Sequence, residues 1–215
     1  VTMFGGDPDY AARRRKLVDR LAKRVDDEAT LAALRAVPRH EFVPESRRDR
    51  AYEDHPLPIG DDQTISAPHM VAIMTDLLDL GPGDEVLEVG TGCGYHAAVT
   101  AEVVGAEHVY SVEYGAALAE RARETLADLG YGDVSVRHGD GREGWPEHAP
   151  YDAAYFTCAV PSVPDAVVEQ VRDGGLILAP VGTERQRLEL LRKTADGVER
   201  EDHGGVRFVT LRGDD

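Results

Sequence analysis

Lysine is scarce in this chain: of 24 basic residues among 215, only Lys16, Lys23 and Lys193 are lysines, and 40 acidic residues leave a net charge of −16. A field of that sign repels a phosphate backbone, so no nucleic-acid partner is expected. Cysteine is scarcer still. Cys93 and Cys158 are too few for a disulfide framework and are not spaced with histidines as metal ligands, which predicts free thiols and no metal. Long apolar runs are missing as well, and the N-terminal stretch VTMFGGDPDYAARRRK has no continuous hydrophobic region after its basic cluster. Neither a spanning helix, a membrane partner nor a secretory signal is expected, and the protein is placed in the cytoplasm. No internal repeat or low-complexity tract is present. An acidic, lysine-poor surface suits a protein kept soluble in concentrated salt, as in a halophile; a GC-rich genome favouring arginine codons is the alternative origin.

What is present suffices for one globular domain, with 42% hydrophobic and 30% charged residues. Leu17, Leu21 and Val25, then Leu31 and Leu34, recur at helical intervals, with a break at Asp26-Asp27 where a new helix can be capped. Between Pro38 and Pro68 six prolines and glycines forbid long regular elements. A tract this long is rarely idle, so Gly60 to Ser66 becomes a site candidate on length alone. An amphipathic stretch from Met70 to Leu78 follows, closed by Gly81-Pro82-Gly83.

Beyond that point strands and helices alternate. Strands are expected at Glu85–Val89, His108–Glu113, Val134–His138, Tyr151–Thr157, Leu176–Pro180, Leu188–Lys193 and Arg207–Leu211. Helices are expected at Ala97–Val104, Ala116–Leu129 and Pro164–Arg172. The pattern predicts a mainly parallel seven-stranded α/β sheet of Rossmann-like type, with helices on both faces and an N-terminal helical segment. No helix separates the last strands, so that end is expected to finish as an antiparallel hairpin.

The first of these strands runs through Glu88 into Gly90-Thr91-Gly92-Cys93-Gly94 and then into a helix. Glycines there allow a tight turn and close backbone approach, and the helix offers free N–H groups to a ligand. The alternating glycines behind an acidic residue differ from the G-x-G-x-x-G of dehydrogenases and resemble methyltransferases dependent on S-adenosylmethionine (SAM). Glu113 closes the next strand 23 residues after Gly90, near the distance at which an acid meets ribose hydroxyls. Gly139-Asp140-Gly141 follows the third strand, which puts Asp140 at the same sheet edge, where adenine would lie.

Further residues resemble the protein-L-isoaspartate (D-aspartate) O-methyltransferase family over nearly the whole chain. They are Val37 to Pro44, Tyr52-Glu53-Asp54 with Pro56 to Gly60, Gln63-Thr64-Ile65-Ser66-Ala67-Pro68-His69-Met70, Ala149 to Asp152, Val163-Pro164, Gly174 to Leu176, Pro180 to Gly182 and Val206 to Val209. Q-T-I-S followed by S-x-P-x-M is the specific part. The resemblance implies methylation of the α-carboxyl of L-isoaspartyl residues in damaged proteins, with SAM as donor and S-adenosyl-L-homocysteine as product. It implies Ser66, Thr64 and Gln63 as catalytic residues. Ile65, Glu88, Gly90, Thr91, Gly92, Gly94, Glu113, Tyr114, Asp140 and Gly141 would bind the cofactor. Isoaspartyl proteins and peptides would be the partners of a monomer, with residues 1–66 forming the helical and substrate-loop segment and 67–215 the SAM-binding core. Five departures bear on substrate preference. Cys158 and Val160 replace smaller residues and are expected to narrow the peptide groove; Asp62 stands at a frequent glycine; Cys93 and His96 stand where serine and glutamine are common.

A carboxylate with a reference pKa near ~3.9 needs no general base at neutral pH, so the expected catalysis is placement and desolvation. Ser66 would orient one carboxylate oxygen; capping the helix that begins at Pro68 is its alternative role. Two other functions stay open: methylation of one specific aspartate in a maturing peptide, and a noncatalytic SAM-binding regulatory module, against which the intact Gln63–Ser66 loop speaks. A nucleic-acid methyltransferase would carry an Asn/Asp-Pro-Pro-aromatic tract after the fourth strand, and none is there.

Overall fold

Asp9 and Asp27 start the first two helices of the computed structural model, which describes residues 9–213; the first eight residues of the stretch inspected above for a leader lie outside it. The Asp9 carboxylate accepts from the Ala12 amide at 2.8 Å at the head of α1 (Tyr10–Leu21). Asp27 accepts from Ala29 and Thr30 at the head of α2 (Glu28–Ala36), where the sequence predicts the break.

Residues 38–56 then wrap the domain through two short 3-10 turns, Arg39–Phe42 and Glu45–Arg50. Arg39 fastens this wrap from inside. Its side chain is wholly buried, its Nε donates to the Ala51 carbonyl at 2.9 Å, and its guanidinium lies 4.9 Å over the Tyr95 ring.

A hairpin that the proline-rich sequence hid follows, β1 (Leu57–Gly60) and β2 (Gln63–Ile65), paired antiparallel. Asp61 and Asp62 turn it at φ +54° and +56°. Two central residues with positive φ mark a primed hairpin turn, and aspartate is among the few side chains that tolerate it.

After α3 (Pro68–Leu77) the chain alternates β3 (Val86–Val89), α4 (Tyr95–Val104), β4 (Val109–Glu113), α5 (Ala116–Asp128), β5 (Ser135–His138), β6 (Tyr151–Phe156), α6 (Asp165–Gln170), β7 (Val171–Val181), β8 (Gln186–Thr194) and β9 (Gly197–Val206). The seven-stranded sheet has the order β5-β4-β3-β6-β7-β8-β9. Its first five strands pair parallel and its last two antiparallel, the finish predicted from the missing helix. Strand order reverses at β3, which opens a crevice beyond the carboxyl ends of β3 and β4.

Successive strand residues serve opposite faces. Val86, Ala153, Tyr155 and Leu178 join the core with the N-terminal helices and α4, whereas Leu87, Ala154, Phe156 and Ile177 join the second core around Val163 and Val167. Every residue of α4 except Glu102 is buried, since the helix lies between the sheet and the N-terminal helices.

One strand is corrected. The seventh strand is Gly197–Val206 and not Arg207–Leu211. Its run of Glu199, Arg200, Glu201 and Asp202 is exposed at the sheet edge, so no apolar alternation betrays it. Residues 207–211 instead cross the carboxyl end of the sheet, where the Ala159 amide donates to the Val209 carbonyl at 2.7 Å and the Leu211 amide to the Ala159 carbonyl at 2.8 Å.

Candidate active site

The crevice at the reversal holds a cavity of 290 Å³, near the lower end of the roughly 300–1,000 Å³ usual for small-ligand sites. Several parts of the chain build it, among them the β2 hairpin through Ser66, the glycine turn after β3, the end of β4 with the start of α5, Thr157-Cys158 after β6, and the crossing tail Val209 to Arg212.

Gly90 sits at φ +101°, and a Cβ there would collide with the Thr157 hydroxyl. The backbone can thus approach a ligand only as glycine. Gly94, at φ +88°, starts α4 with no side-chain cap, and a Cβ would press on Leu126 at 3.1 Å. Its role is to pass the chain over α5; it is not part of the cavity wall. The Glu113 carboxylate accepts from the Gly92 amide and from the Gly115 amide, each at 2.9 Å. One acid therefore pins both loops that flank the crevice and keeps its remaining lone pairs toward it.

The residues expected at the site divide as follows. Gln63, Thr64, Ile65, Ser66, Gly90, Thr91, Gly92, Glu113, Tyr114 and Gly141 line one cavity. Glu88, Gly94 and Asp140 do not. Glu88 is fully buried beneath the glycine turn, where its oxygens accept from Ser111 at 2.5 Å and Tyr155 at 2.9 Å. Thr91 adds its hydroxyl to Ser111 at 2.6 Å, and Thr100 to Tyr155 at 3.0 Å. Burial pushes the Glu88 carboxyl up to about 8, so it holds a proton at neutral pH that one of these hydrogen bonds must carry. Asp140 caps the 3-10 turn Gly141–Glu143 and is forked by Arg142 at 2.6 to 3.1 Å, which holds its carboxyl below the usual range.

Ser66 is half-buried, and its hydroxyl has no partner among the described residues. The capping alternative fails, because the residue before α3 is Ala67 and no side chain caps that helix. His69 is tied instead to Asp54, through its amide and its Nδ1, each at 2.9 Å. Neither residue lines the cavity.

Several wall residues escaped the sequence reading. Tyr95 and His96 come from the first turn of α4. The His96 Nε2 lies 3.2 Å from Thr75 Oγ1, which donates to the Val71 carbonyl, so Nε2 carries the proton. Burial pushes this imidazole down to about 3. Arg212 closes the rim from the tail. Its Nη2 donates to the Asp61 carbonyl at 2.9 Å, and the Gln63 amide oxygen, turned toward it, accepts from Nη2 and Nε at 3.0 and 3.3 Å. Arg121 of α5 grips the Asp61 carboxylate from the other side at 2.5 Å. The sequence signals for this tail were the Val206 to Val209 resemblance and the strand expected at Arg207–Leu211.

Both thiols lie in the wall, Cys93 partly exposed and Cys158 buried. Burial pushes Cys93 up to about 11 and raises Cys158 further, so neither supplies a thiolate nucleophile. Val160, expected to crowd the groove, is 1% exposed in the second core and stands outside the wall. Among the described residues no helix is long and apolar enough to cross a membrane, and no cluster of side chains could hold a metal ion.

A protein-family model described as protein-L-isoaspartate(D-aspartate) O-methyltransferase matches residues 12–215. The chain belongs to that family. It is 53% identical over 209 residues to protein-L-isoaspartate O-methyltransferase 2 of Archaeoglobus fulgidus, a match covering 96% of this chain and 95% of the relative. It is 50% identical over 206 residues to the protein-L-isoaspartate O-methyltransferase of Methanothermobacter thermautotrophicus, covering 93% and 95%. A solved protein-L-isoaspartate O-methyltransferase superposes with a TM-score of 0.86 at 33% identity, over 93% of this chain and 66% of that one. The fold is shared further with a putative family member from Plasmodium falciparum in complex with S-adenosyl-L-homocysteine, at a TM-score of 0.80 and 23% identity over 93% and 98%. Family membership covers the hairpin, the glycine turn and the tail alike, since residues 12–215 include every lining residue of the cavity.

Proposed function

We propose that this chain is a SAM-dependent methyltransferase that esterifies the α-carboxyl of L-isoaspartyl residues in damaged proteins. The observation that carries this reading is the convergence of an unpartnered Ser66 hydroxyl and a glycine-floored cofactor crevice on one cavity, in a member of this family. The residues fit the cofactor. Gly90 leaves a cradle that a Cβ would fill, the uncapped first turn of α4 offers N–H groups, and Glu113 is held against the glycine turn as part of the cavity wall.

When bound, SAM supplies an activated methyl group on a sulfonium, whose loss leaves a neutral thioether. The protein's share is placement. Gly90, Gly92, Thr91, Glu113, Tyr114 and Gly141 hold the cofactor, with Ile65 closing over it from the hairpin. Ser66 donates to one oxygen of the substrate carboxylate, leaving the other free to attack, while Gln63 and Thr64 shape the loop around it. No side chain needs to remove a proton, because the nucleophile is already ionised. Aligning the two partners in a cavity closed by the hairpin and tail can supply about 7–11 kcal/mol of the acceleration.

This reading places the enzyme in the cytoplasm as a monomer that acts on isoaspartyl proteins and peptides, and the charge of −16 suits a halophile. The test is methyl transfer from labelled SAM to an isoaspartyl peptide beside its normal aspartyl twin. Transfer to the isoaspartyl member alone is expected; equal labelling of both, or of neither, overturns the reading.

A further inference from the structure

Beside the cavity a second surface groove runs between the β7–β8 turn and the end of β9, lined by Thr183 to Arg187 and Gly205 to Phe208. The two depressions adjoin through the tail: Phe208 lines the groove, and the next residue, Val209, lines the cavity. The groove is pinned from within. The Gln186 side chain pairs with the Phe208 backbone in both directions, accepting from its amide at 2.6 Å and donating to its carbonyl at 3.1 Å.

The groove's charge runs against that of the molecule. Arg185, Arg187 and Arg207 line it, with Glu184 as the opposing carboxylate, in a chain whose acids outnumber its bases 40 to 24. Arg187 is neutralised by Asp202. Arg185 and Arg207 are exposed and have no ion pair or hydrogen bond among the described residues. Arg212, at the cavity rim, binds a carbonyl and an amide oxygen and, among the described residues, no carboxylate. Among the described residues, three arginines without a carboxylate partner thus stand in the groove and at the rim of the adjoining cavity that Ser66 lines. A path of that sign favours an anionic chain and sets its register, chiefly by raising the rate of productive encounter.

We propose that this groove docks the polypeptide flanking the isoaspartyl residue and selects acidic flanks, with Arg185 and Arg207 as the discriminating side chains. The proposal rests on the isoaspartyl reading of the cavity and adds to it a preference among substrates. Neither arginine lines the cofactor cavity, so exchanging them leaves the methyl-transfer machinery in place.

The test compares two isoaspartyl peptides that differ only in their flanks, one carrying glutamates and one lysines, in wild type and in the R185E/R207E double variant. At low salt the wild type is expected to show roughly three- to tenfold higher kcat/KM on the glutamate peptide, carried by KM, and the preference should shrink in high salt. The double variant should lose or invert that preference, while S-adenosyl-L-homocysteine affinity, melting temperature and kcat on saturating peptide stay unchanged. The neutral R185Q/R207Q variant should fall between the two. An equal kcat/KM on both peptides in the wild type, or an undiminished preference in the double variant, overturns the proposal. A wild type that methylates neither peptide while binding S-adenosyl-L-homocysteine overturns the isoaspartyl reading itself, a separate result.

Discussion

Glu113 Oε2 lies 2.9 Å from the Gly92 amide, so the acid that closes β4 also clamps the glycine turn that closes β3. Its other oxygen holds the Gly115 amide at the same distance. A Glu113→Ala substitution therefore loosens both loops at once and, on the proposed reading of the site, also removes a ribose acceptor. SAM affinity is expected to fall by roughly 1.5–3 kcal/mol, the range for hydrogen bonds to a charged group. Isothermal titration checks this, and an unchanged dissociation constant would remove Glu113 from the cofactor site.

On the proposed reading, exchanging Ser66 should separate binding from turnover. With Ala67 at the head of α3 and no hydrogen bond to the Ser66 hydroxyl among the described residues, Ser66→Ala has no cap to lose. The variant should keep its melting temperature and its S-adenosyl-L-homocysteine affinity. Its single-turnover rate on an isoaspartyl peptide should fall by roughly ten- to a thousandfold, the effect of losing one well-placed donor. A wild-type rate would show that Ser66 does not touch the reacting carboxylate.

The parts of this molecule legible in its sequence are those where one side chain type has one physical use. Alternating glycines after a strand, an acid at the end of the next strand and Asp27 before an apolar helix each predict a local geometry, and each geometry is present. Illegible parts depend on partners distant in the chain. The exposed β9 has no apolar alternation to announce it. Arg212 reaches its position only because the tail recrosses the sheet to meet Asp61, 151 residues earlier. Glu88 shows how a motif position can mislead. It lies in the cofactor signature, yet it is sealed under the turn by Ser111 and Tyr155, and sequence spacing does not distinguish a residue that touches a ligand from one that supports the residue that does.

Glu88 and His96 give the stability of the fold a paired pH signature. The Glu88 carboxyl is raised from 4.5 to about 8, so between these values the folded chain binds a proton that the unfolded chain has lost. Its contribution is complete below the lower value and is lost as pH rises through the upper one. The His96 imidazole is lowered from 6.5 to about 3, so its contribution is complete above the upper value and is lost as pH falls through that window. Where the windows overlap, one proton taken up and one released cancel. Above pH 6.5 that cancellation ends and stability declines toward pH 8 through Glu88, with the exposed His108, raised by its hydrogen bond to Glu85, adding to the decline. The slope there approaches about 1.4 kcal/mol per pH unit for one proton. Urea midpoints for Glu88→Gln, subtracted from wild type, should remove the Glu88 part of that decline and expose a rise with pH below it. The same decline persisting in the variant would show that Glu88 is already ionised in the folded state.

Charge repulsion gives the last expectation, and it concerns the whole surface. Forty acids against 24 bases leave −16 on one domain of 215 residues. Its crevice clasp includes an exposed ion pair between Arg121 and Asp61, each side chain 53% exposed. Salt acts on the two in opposite ways. Screening relieves self-repulsion across the surface, which favours the compact state, and it weakens isolated exposed pairs, which contribute only about 0–1 kcal/mol each. The summed repulsion should dominate, so the melting temperature is expected to rise as KCl goes from dilute to molar. Over the same range Arg121–Asp61 should loosen, and S-adenosyl-L-homocysteine should dissociate faster from the wild type but not from Arg121→Ala, which has no pair to screen. Scanning calorimetry and stopped-flow release measure the two effects separately. A melting temperature that stays flat or falls would show that repulsion does not limit this fold, and it would remove the physical basis for reading the acidic surface as an adaptation to salt.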